Sequence, residues 1–143
     1  MIEILPEQLK TAERIRSPLG VGYFPVMVVA NDGAIVAVYR AGGGHGGRKG
    51  YLVASRSEDA GHTWADPVVV VQTLQYDDRN PAIGVANNGT ITVSYHANAH
   101  YGADDLSIEE RRNPGALHTG LVHSFDHGRT WSEPMIWTDT TPW

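Results

Sequence analysis

The sequence predicts an all-β protein made of two tandem four-stranded antiparallel sheets, and three observations lead there. An octapeptide of the form S-x-D-x-G-x-T-W occurs twice in the 143 residues, as Ser57 to Trp64 and as Ser124 to Trp131, each time followed shortly by a proline (Pro67, Pro134). Two turns of the form N-x-G, Asn31-Asp32-Gly33 and Asn87-Asn88-Gly89, each join a pair of apolar runs. The prolines and glycines of those hairpins keep one spacing, since Pro81 minus Pro25 and Gly89 minus Gly33 both give 56. Self-similarity at such a period marks a repeated supersecondary unit.

The elements follow in order. Residues 1–22 are the least regular part and are expected to form an N-terminal arm, with a short helix over 8–16 closed by Ser17-Pro18-Leu19-Gly20. The first unit spans 23–73. Its strands are Tyr23 to Ala30 and Ala34 to Tyr39 around the first N-x-G turn, Tyr51 to Arg56 after the Gly-rich loop 41–50, and Pro67 to Gln72 after the first octapeptide. The second unit spans 74–138, with strands at Arg79 to Ala86, Thr90 to His96, Leu117 to Ser124 and Glu133 to Thr138. The octapeptide aspartates, Asp59 and Asp126, are 67 apart, which assigns an 11-residue insertion to the loop 97–116. Within it, Asp104 to Arg112 is expected to make one or two helical turns, stopped by Asn113-Pro114-Gly115. Residues 139–143 form a tail.

Composition narrows the function classes. Eleven basic and sixteen acidic residues, without long runs, give a net charge of −5 and argue against nucleic acid as a partner. No run of about 18 apolar residues is present to span a bilayer, so a soluble protein with no membrane partner is expected. The absence of cysteine excludes disulfides and thiolate metal sites. The N-terminus lacks the basic and apolar regions of a secretory signal, which leaves the compartment unknown and the cytoplasm as the default.

Two consecutive four-stranded meanders, each with the same turn at the same hairpin, read as two blades of a β-propeller. Propellers close with roughly four to eight blades. Two blades are therefore expected either to belong to a longer chain or to complete a ring by self-association. The repeated octapeptide resembles the Asp-box, or bacterial neuraminidase repeat, of the sialidase superfamily, over residues from about Tyr23 to Trp137. The resemblance implies sialidase-like blades and a six-bladed ring, which three copies of this chain would complete as a homotrimer. It also implies a structural role for the box, on the face opposite the active site. Ser57, Asp59, Gly61, Trp64, Ser124, Asp126, Gly128 and Trp131 are then scaffold residues: the aspartates accept backbone N–H bonds, the glycines take the left-handed conformation, and the tryptophans pack back between sheets.

In a meander, the loops between strands two and three and the links between blades lie opposite the boxes. That rim carries 41–50, 74–78 and 97–116, and function is sought there. Sialidases resemble one another in an R-I-P motif whose arginine binds the substrate carboxylate. Here the first unit has Tyr23-Phe24-Pro25 and lacks that arginine, whereas the second has Arg79-Asn80-Pro81. Arg79 suits a carboxylate through its planar fork of donors, and it equally suits a salt bridge with Asp77 or Asp78. Asp77 and Asp78 are candidate acid/base residues if burial raises a pKa towards neutrality, against a plainer reading as solvated loop carboxylates. Tyr95, Tyr101, Glu109 and Glu110 are local stand-ins for the nucleophilic tyrosine and glutamate that the resemblance places in later blades. His96, His100, Tyr101 and Arg48 complete the candidate substrate-binding set. His96, His100 and His118 lack the helical spacing and clear third ligand of a metal site, so neither metal nor cofactor is expected. The loop 42–50 has no G-K-[ST] ending and no following helix, which excludes a P-loop and leaves a rim loop with two cations, Arg48 and Lys49. Three functions follow: a module binding glycans or carboxylates, a glycoside hydrolase of exo-sialidase type, or an assembly element without ligand.

Overall fold

A computed structural model describes residues 22–43, 50–73, 76–99 and 117–137. The N-terminal arm, most of the 41–50 and 97–116 loops, and the tail lie outside the described residues. Eight strands form two antiparallel meanders. The first sheet has the order β1 (Tyr23–Val29), β2 (Ile35–Ala41), β3 (Tyr51–Ser57), β4 (Val68–Val71). The second has the order β5 (Tyr76–Val85), β6 (Ile91–Ala99), β7 (Leu117–Ser124), β8 (Met135–Trp137). These are the strands expected from the valine-rich runs, whose β-branched side chains fit a pleated surface.

The N-x-G hairpins are built alike. Gly33 N–H donates to Ala30 O at 2.9 Å and Gly89 N–H to Ala86 O at 2.8 Å, with both glycines at positive φ (88° and 87°). The middle side chain of each turn, Asp32 or Asn88, accepts from the backbone N–H two residues on, at 3.3 and 3.1 Å. This local bond is what Asx residues contribute to turns.

One core lies between the sheets. Val36, Val38, Leu52 and Ala54 of the first blade pack with Ile91, Val93, Tyr95 and Val122 of the second, all buried. Each such valine, leucine or isoleucine contributes about 1.5–3 kcal/mol on burial, so the blade-to-blade face is a principal source of stability. Period-two alternation decides which residues take part. In the first blade the row Val26, Val38, Ala54 points inward in register, and Val68 continues it at an exposed position. In the second the inward row is Ile83, Val93, Val122.

Two features differ from the sequence-based expectation. β5 begins at Tyr76, not Arg79, so Asp77 and Asp78 are strand residues paired with Asn98 and Ala97. β6 correspondingly runs to Ala99, into the stretch expected as loop. Both aspartates are buried where solvated loop carboxylates were the plainer reading. A strand can carry them inside because each finds strong donors, as described below. The second feature is a bulge at the same place in both blades. The ladder slips between Tyr23 and Val26 and again between Arg79 and Ala82, with Phe24 (φ 56°) and Asn80 (φ 51°) in the left-handed region. The following prolines, Pro25 and Pro81, have no N–H to give the ladder, so the slip falls where pairing is already broken.

Candidate functional site

The octapeptide turns form one end of the blades. Ser57 Oγ accepts from Gly61 N–H at 2.8 Å and donates to Asp59 Oδ1 at 2.8 Å, while Asp59 accepts from Thr63 N–H at 2.8 Å and Thr63 Oγ1 at 2.5 Å. Ser124, Asp126, Gly128 and Thr130 repeat the pattern at 2.6–2.9 Å. The residue before each glycine also adopts positive φ, Ala60 at 58° and His127 at 61°, so the turn contains two successive left-handed residues where the sequence pointed to one. The tryptophans part company. Trp131 packs against the shared core, whereas Trp64 is half-buried with its indole N–H on Gly61 O at 2.9 Å. Hydrogen bonds from Thr63 and Ser57 hold the Asp59 carboxyl down at about 2. At Asp126 burial pushes upward, and bonds from Thr130, Ser124 and Arg129 outweigh it, again giving about 2.

A cleft of about 550 Å³ opens at this same end, lined by Asp32, Gly33, Ala34, Arg56, Glu58 and Arg129. Its charges serve one another. Arg56 reaches Asp32 at 2.8 Å and Glu58 at 3.1 Å, and Arg129 of the second blade reaches Asp32 at 3.4 Å and Glu58 at 3.5 Å. Arg56 also donates to His127 O across the blades at 3.2 Å. The concavity is therefore an inter-blade ion network, and the convergent chemistry lies at the other end.

There, β2, β3 and β5 bring two arginines to one carboxylate. Arg40, at the end of β2, is buried. Its Nη2 donates to Asp77 Oδ1 at 2.7 Å, its Nη1 to Gly43 O at 3.3 Å, and Gly50 N–H also donates to Asp77 Oδ1 at 2.6 Å. A Cβ on Gly50 would land on the Arg40 guanidinium, so the close approach requires glycine. Asp77 Oδ2 faces Arg79 Nη1 at the longer distance of 3.4 Å. The Arg79 side chain is 16% exposed, and its guanidinium carbon lies 5.9 Å from the Phe24 ring centroid. The bulge of the first blade thus supplies the ring beside the arginine of the second, at the outer range of a cation–π contact.

Asp78 is buried, with its oxygens accepting from Thr73 N–H at 2.7 Å and from Thr73 Oγ1 at 2.9 and 3.0 Å. Burial pushes this carboxyl up to about 6, against the lowering effect of the Thr73 bonds and with a further upward contribution from Asp77. Its own N–H donates to Gly50 O at 2.9 Å, tying the blades together. Tyr95 lies buried in the second blade, and burial, then the nearby Asp78 charge, push its phenol upward.

Of the residues singled out in the sequence, the structure brings Asp77 and Arg79 within 3.4 Å of each other, with exposed His96 paired to Arg79 in the ladder, while Asp78 pairs with Ala97 in the row of the other face. His118 lies on the opposite face of the second sheet, edge-on to Tyr76 with ring centroids 5.4 Å apart. Arg48, His100, Tyr101, Glu109 and Glu110 lie outside the described residues. Sequence reasoning missed Arg40, Thr73 and Phe24. The signal for Arg40 was present: a cation in register at the end of a buried valine strand, in a chain with two adjacent acids elsewhere.

No protein-family model and no curated protein matches the sequence. Solved structures do. The Hadza microbial sialidase Hz136 superposes with a TM-score of 0.63 at 23% identity over 80% of this chain and 25% of its own. NanB sialidase from Streptococcus pneumoniae, as a K499G mutant, gives 0.64 at 11% identity over 94% of this chain and 40% of its own. A polysaccharide lyase described as PL25 ulvan lyase bound to -[GlcA(1-4)Rha3S]- gives 0.56 at 21% identity over 78% of this chain and 26% of its own. The chain thus spans between a quarter and two-fifths of the length of these structures. Two four-stranded antiparallel sheets, joined through one core and matched in this way, give the chain a sialidase-like fold.

Proposed function

We propose that this chain is a sialidase-like propeller unit that binds an acidic glycan at the end of the blades opposite the octapeptide turns, with Arg79 as the carboxylate ligand. The carrying observation is a partly exposed arginine at this end of the blades: the Arg79 side chain is 16% exposed, lies 3.4 Å from buried Asp77 and has its guanidinium carbon 5.9 Å from the Phe24 ring centroid. A ligand carboxylate reaching its exposed part would take charge-assisted hydrogen bonds from the guanidinium fork. Asp77, Arg40, Gly50 and Phe24 act as positioning groups that fix the guanidinium before ligand arrives. Exposed His96 stands next to it as a polar contact. The neighbours' descriptions fit this ligand class, since they name sialidases and a lyase bound to a glucuronate-containing sugar.

Titration with N-acetylneuraminic acid, followed by NMR or calorimetry, tests this reading. Binding lost in Arg79→Ala and kept in Arg129→Ala is the expected result. No binding by the parent chain overturns it.

The second reading is a glycoside hydrolase of exo-sialidase type, favoured by a buried carboxyl, Asp78, held near 6. In this reading Asp78 is the acid/base, and Thr73 has to release it to a substrate. Turnover of a fluorogenic sialoside that disappears in Asp78→Asn supports the enzyme. Silence in both the binding and turnover assays leaves the assembly element without ligand.

A further inference from the structure

We infer that the N-terminal arm of this chain, through the stretch 8–16, docks on the outward face of the first blade and takes the place of a neighbouring blade there. This does not rest on the glycan reading.

The face itself is the starting observation. Alternation in the first sheet puts Val38 and Ala54 on the inward side and Ala37, Tyr39, Val53 and Ser55 on the outward side, with Tyr39 opposite Val53 and Ala37 opposite Ser55. All four are buried, Tyr39 at 6% exposure and Val53 at 5%. The Tyr39 hydroxyl shares a buried hydrogen bond with Ser55 Oγ at 3.1 Å. Ala37, Tyr39 and Val53 nevertheless stand outside the core between the blades. Among the described elements, the main contacts of the first sheet beyond itself are to β5, on the inward side. A fully buried side chain touches about 6–12 residues, and a sheet alone supplies neighbours on one side only. Another part of the chain therefore lies over this face.

The outline of the covered patch says what kind of segment fits. It is two strands wide, β2 and β3, whereas Met27 (60%) on β1 and Val69 (53%) on β4, in the same rows, are exposed. Two strands are about 10 Å across, the width of one helix, and nine helical residues run about 14 Å. The short helix expected over 8–16 matches both dimensions. Its Leu9, Ala12 and Ile15 recur at every third position as one apolar stripe, with Lys10, Glu13 and Arg14 off it. The residues after it lead directly into β1. The other stretches outside the described residues fit less well. Residues 44–49 read Gly-His-Gly-Gly-Arg-Lys and 138–143 read Thr-Asp-Thr-Thr-Pro-Trp, neither with an apolar stripe. Residues 100–116 connect two strands of the second blade and set Leu106 and Ile108 among Asp104, Asp105, Glu109 and Glu110.

The repeat shows what the arm replaces. The offset of 56 carries Ala37 and Tyr39 onto Val93 and Tyr95, and the offset of 67 carries Ser55 onto Val122. Those three are buried in the core against the first blade. The first blade thus covers the second, and the arm covers the first on the equivalent face. A further blade reaches that face only after the arm leaves it.

Methyl–aromatic NOE spectra of the isotope-labelled full chain test the inference. The expected result is contact between the Tyr39 ring and the methyl groups of Leu9 or Ile15, present within single copies and absent between differently labelled copies in a mixed sample. Leu9→Asp with Ile15→Asp is expected to lower the melting temperature by at least about 4 °C, and Leu106→Asp with Ile108→Asp to lower it less. A Tyr39 ring that touches residues 100–116 or a second copy, and not the arm, overturns the inference. So does a stability indifferent to the arm pair, or one that falls more with the loop pair. The NOE measurement uses the parent chain, so it decides even where a variant fails to fold.

Discussion

The two ends of the blades use carboxylates in opposite ways. At the octapeptide end, Asp59 and Asp126 are saturated by serine, threonine and backbone donors of their own turns, and their pKa values sit at about 2. Each turn is self-contained and says the same thing twice. At the other end, Asp77 and Asp78 are buried, draw their donors from β2, the start of β3 and the segment before β5, and differ from each other. The first end fastens backbone, while the second gathers cations from separate strands. Repetition therefore marks scaffold here, and departure from repetition marks the proposed site: Arg79 stands where the first blade has Tyr23.

The largest expected difference between the ends is in stability. Asp77→Ala strands the buried Arg40 charge, and removing one member of a buried pair costs about 3–5 kcal/mol. Urea denaturation should show that loss, and Asp59→Ala at the exposed turn should cost clearly less. An Asp77→Ala effect no larger than that of Asp59→Ala would break the comparison. A second contrast separates strain from crowding. Gly128 and Gly33 have nearly the same φ, 87° and 88°, yet a Cβ on Gly128 would lie 2.9 Å from Val36 across the blades, and one on Gly33 meets nothing within 4 Å. Gly33→Ala should cost about 1 kcal/mol from its backbone conformation. Gly128→Ala should cost about 1–3 kcal/mol more, because it adds overpacking to the same strain.

Stability against pH should show the same division, with a smaller effect. Asp32, Asp59 and Asp126 have lowered folded pKa values of about 2, so the native state binds fewer protons than the unfolded chain between 2 and 4. Their contribution is present above 4 and lost as pH falls through 2. Asp78 is raised to about 6, so between 4 and 6 the native state binds more protons, and stability falls as pH rises through that window. Denaturation midpoints from pH 2 to 8 should rise and then decline. Asp78→Asn should flatten the declining limb alone.

Much of this was legible in the sequence. The N-x-G turns, the valine runs and the doubled octapeptide specify the strands and their order, because hairpin chemistry is local. The resemblance carried by the octapeptide agrees with the sialidase-like superpositions. What stayed hidden depends on distant partners. Asp77 and Asp78 looked solvated because their donors, Arg40, Gly50 and Thr73, are brought to them only by the packing of blade on blade. The twin bulges were hidden for another reason: a left-handed Phe or Asn before proline is disfavoured locally and is sustained by the surrounding ladder.

The central claim is that ligand chemistry belongs to the Arg79 end and not to the cleft at the octapeptide end. Its most direct test is a sugar titration of two single variants, Arg79→Ala and Arg129→Ala, with N-acetylneuraminic acid as ligand and its neutral methyl ester as control. The account predicts that the free acid binds the parent chain and the Arg129→Ala variant alike, that Arg79→Ala weakens it at least about tenfold, and that the ester binds weakly to all three. Binding that survives in Arg79→Ala and is lost in Arg129→Ala would contradict it.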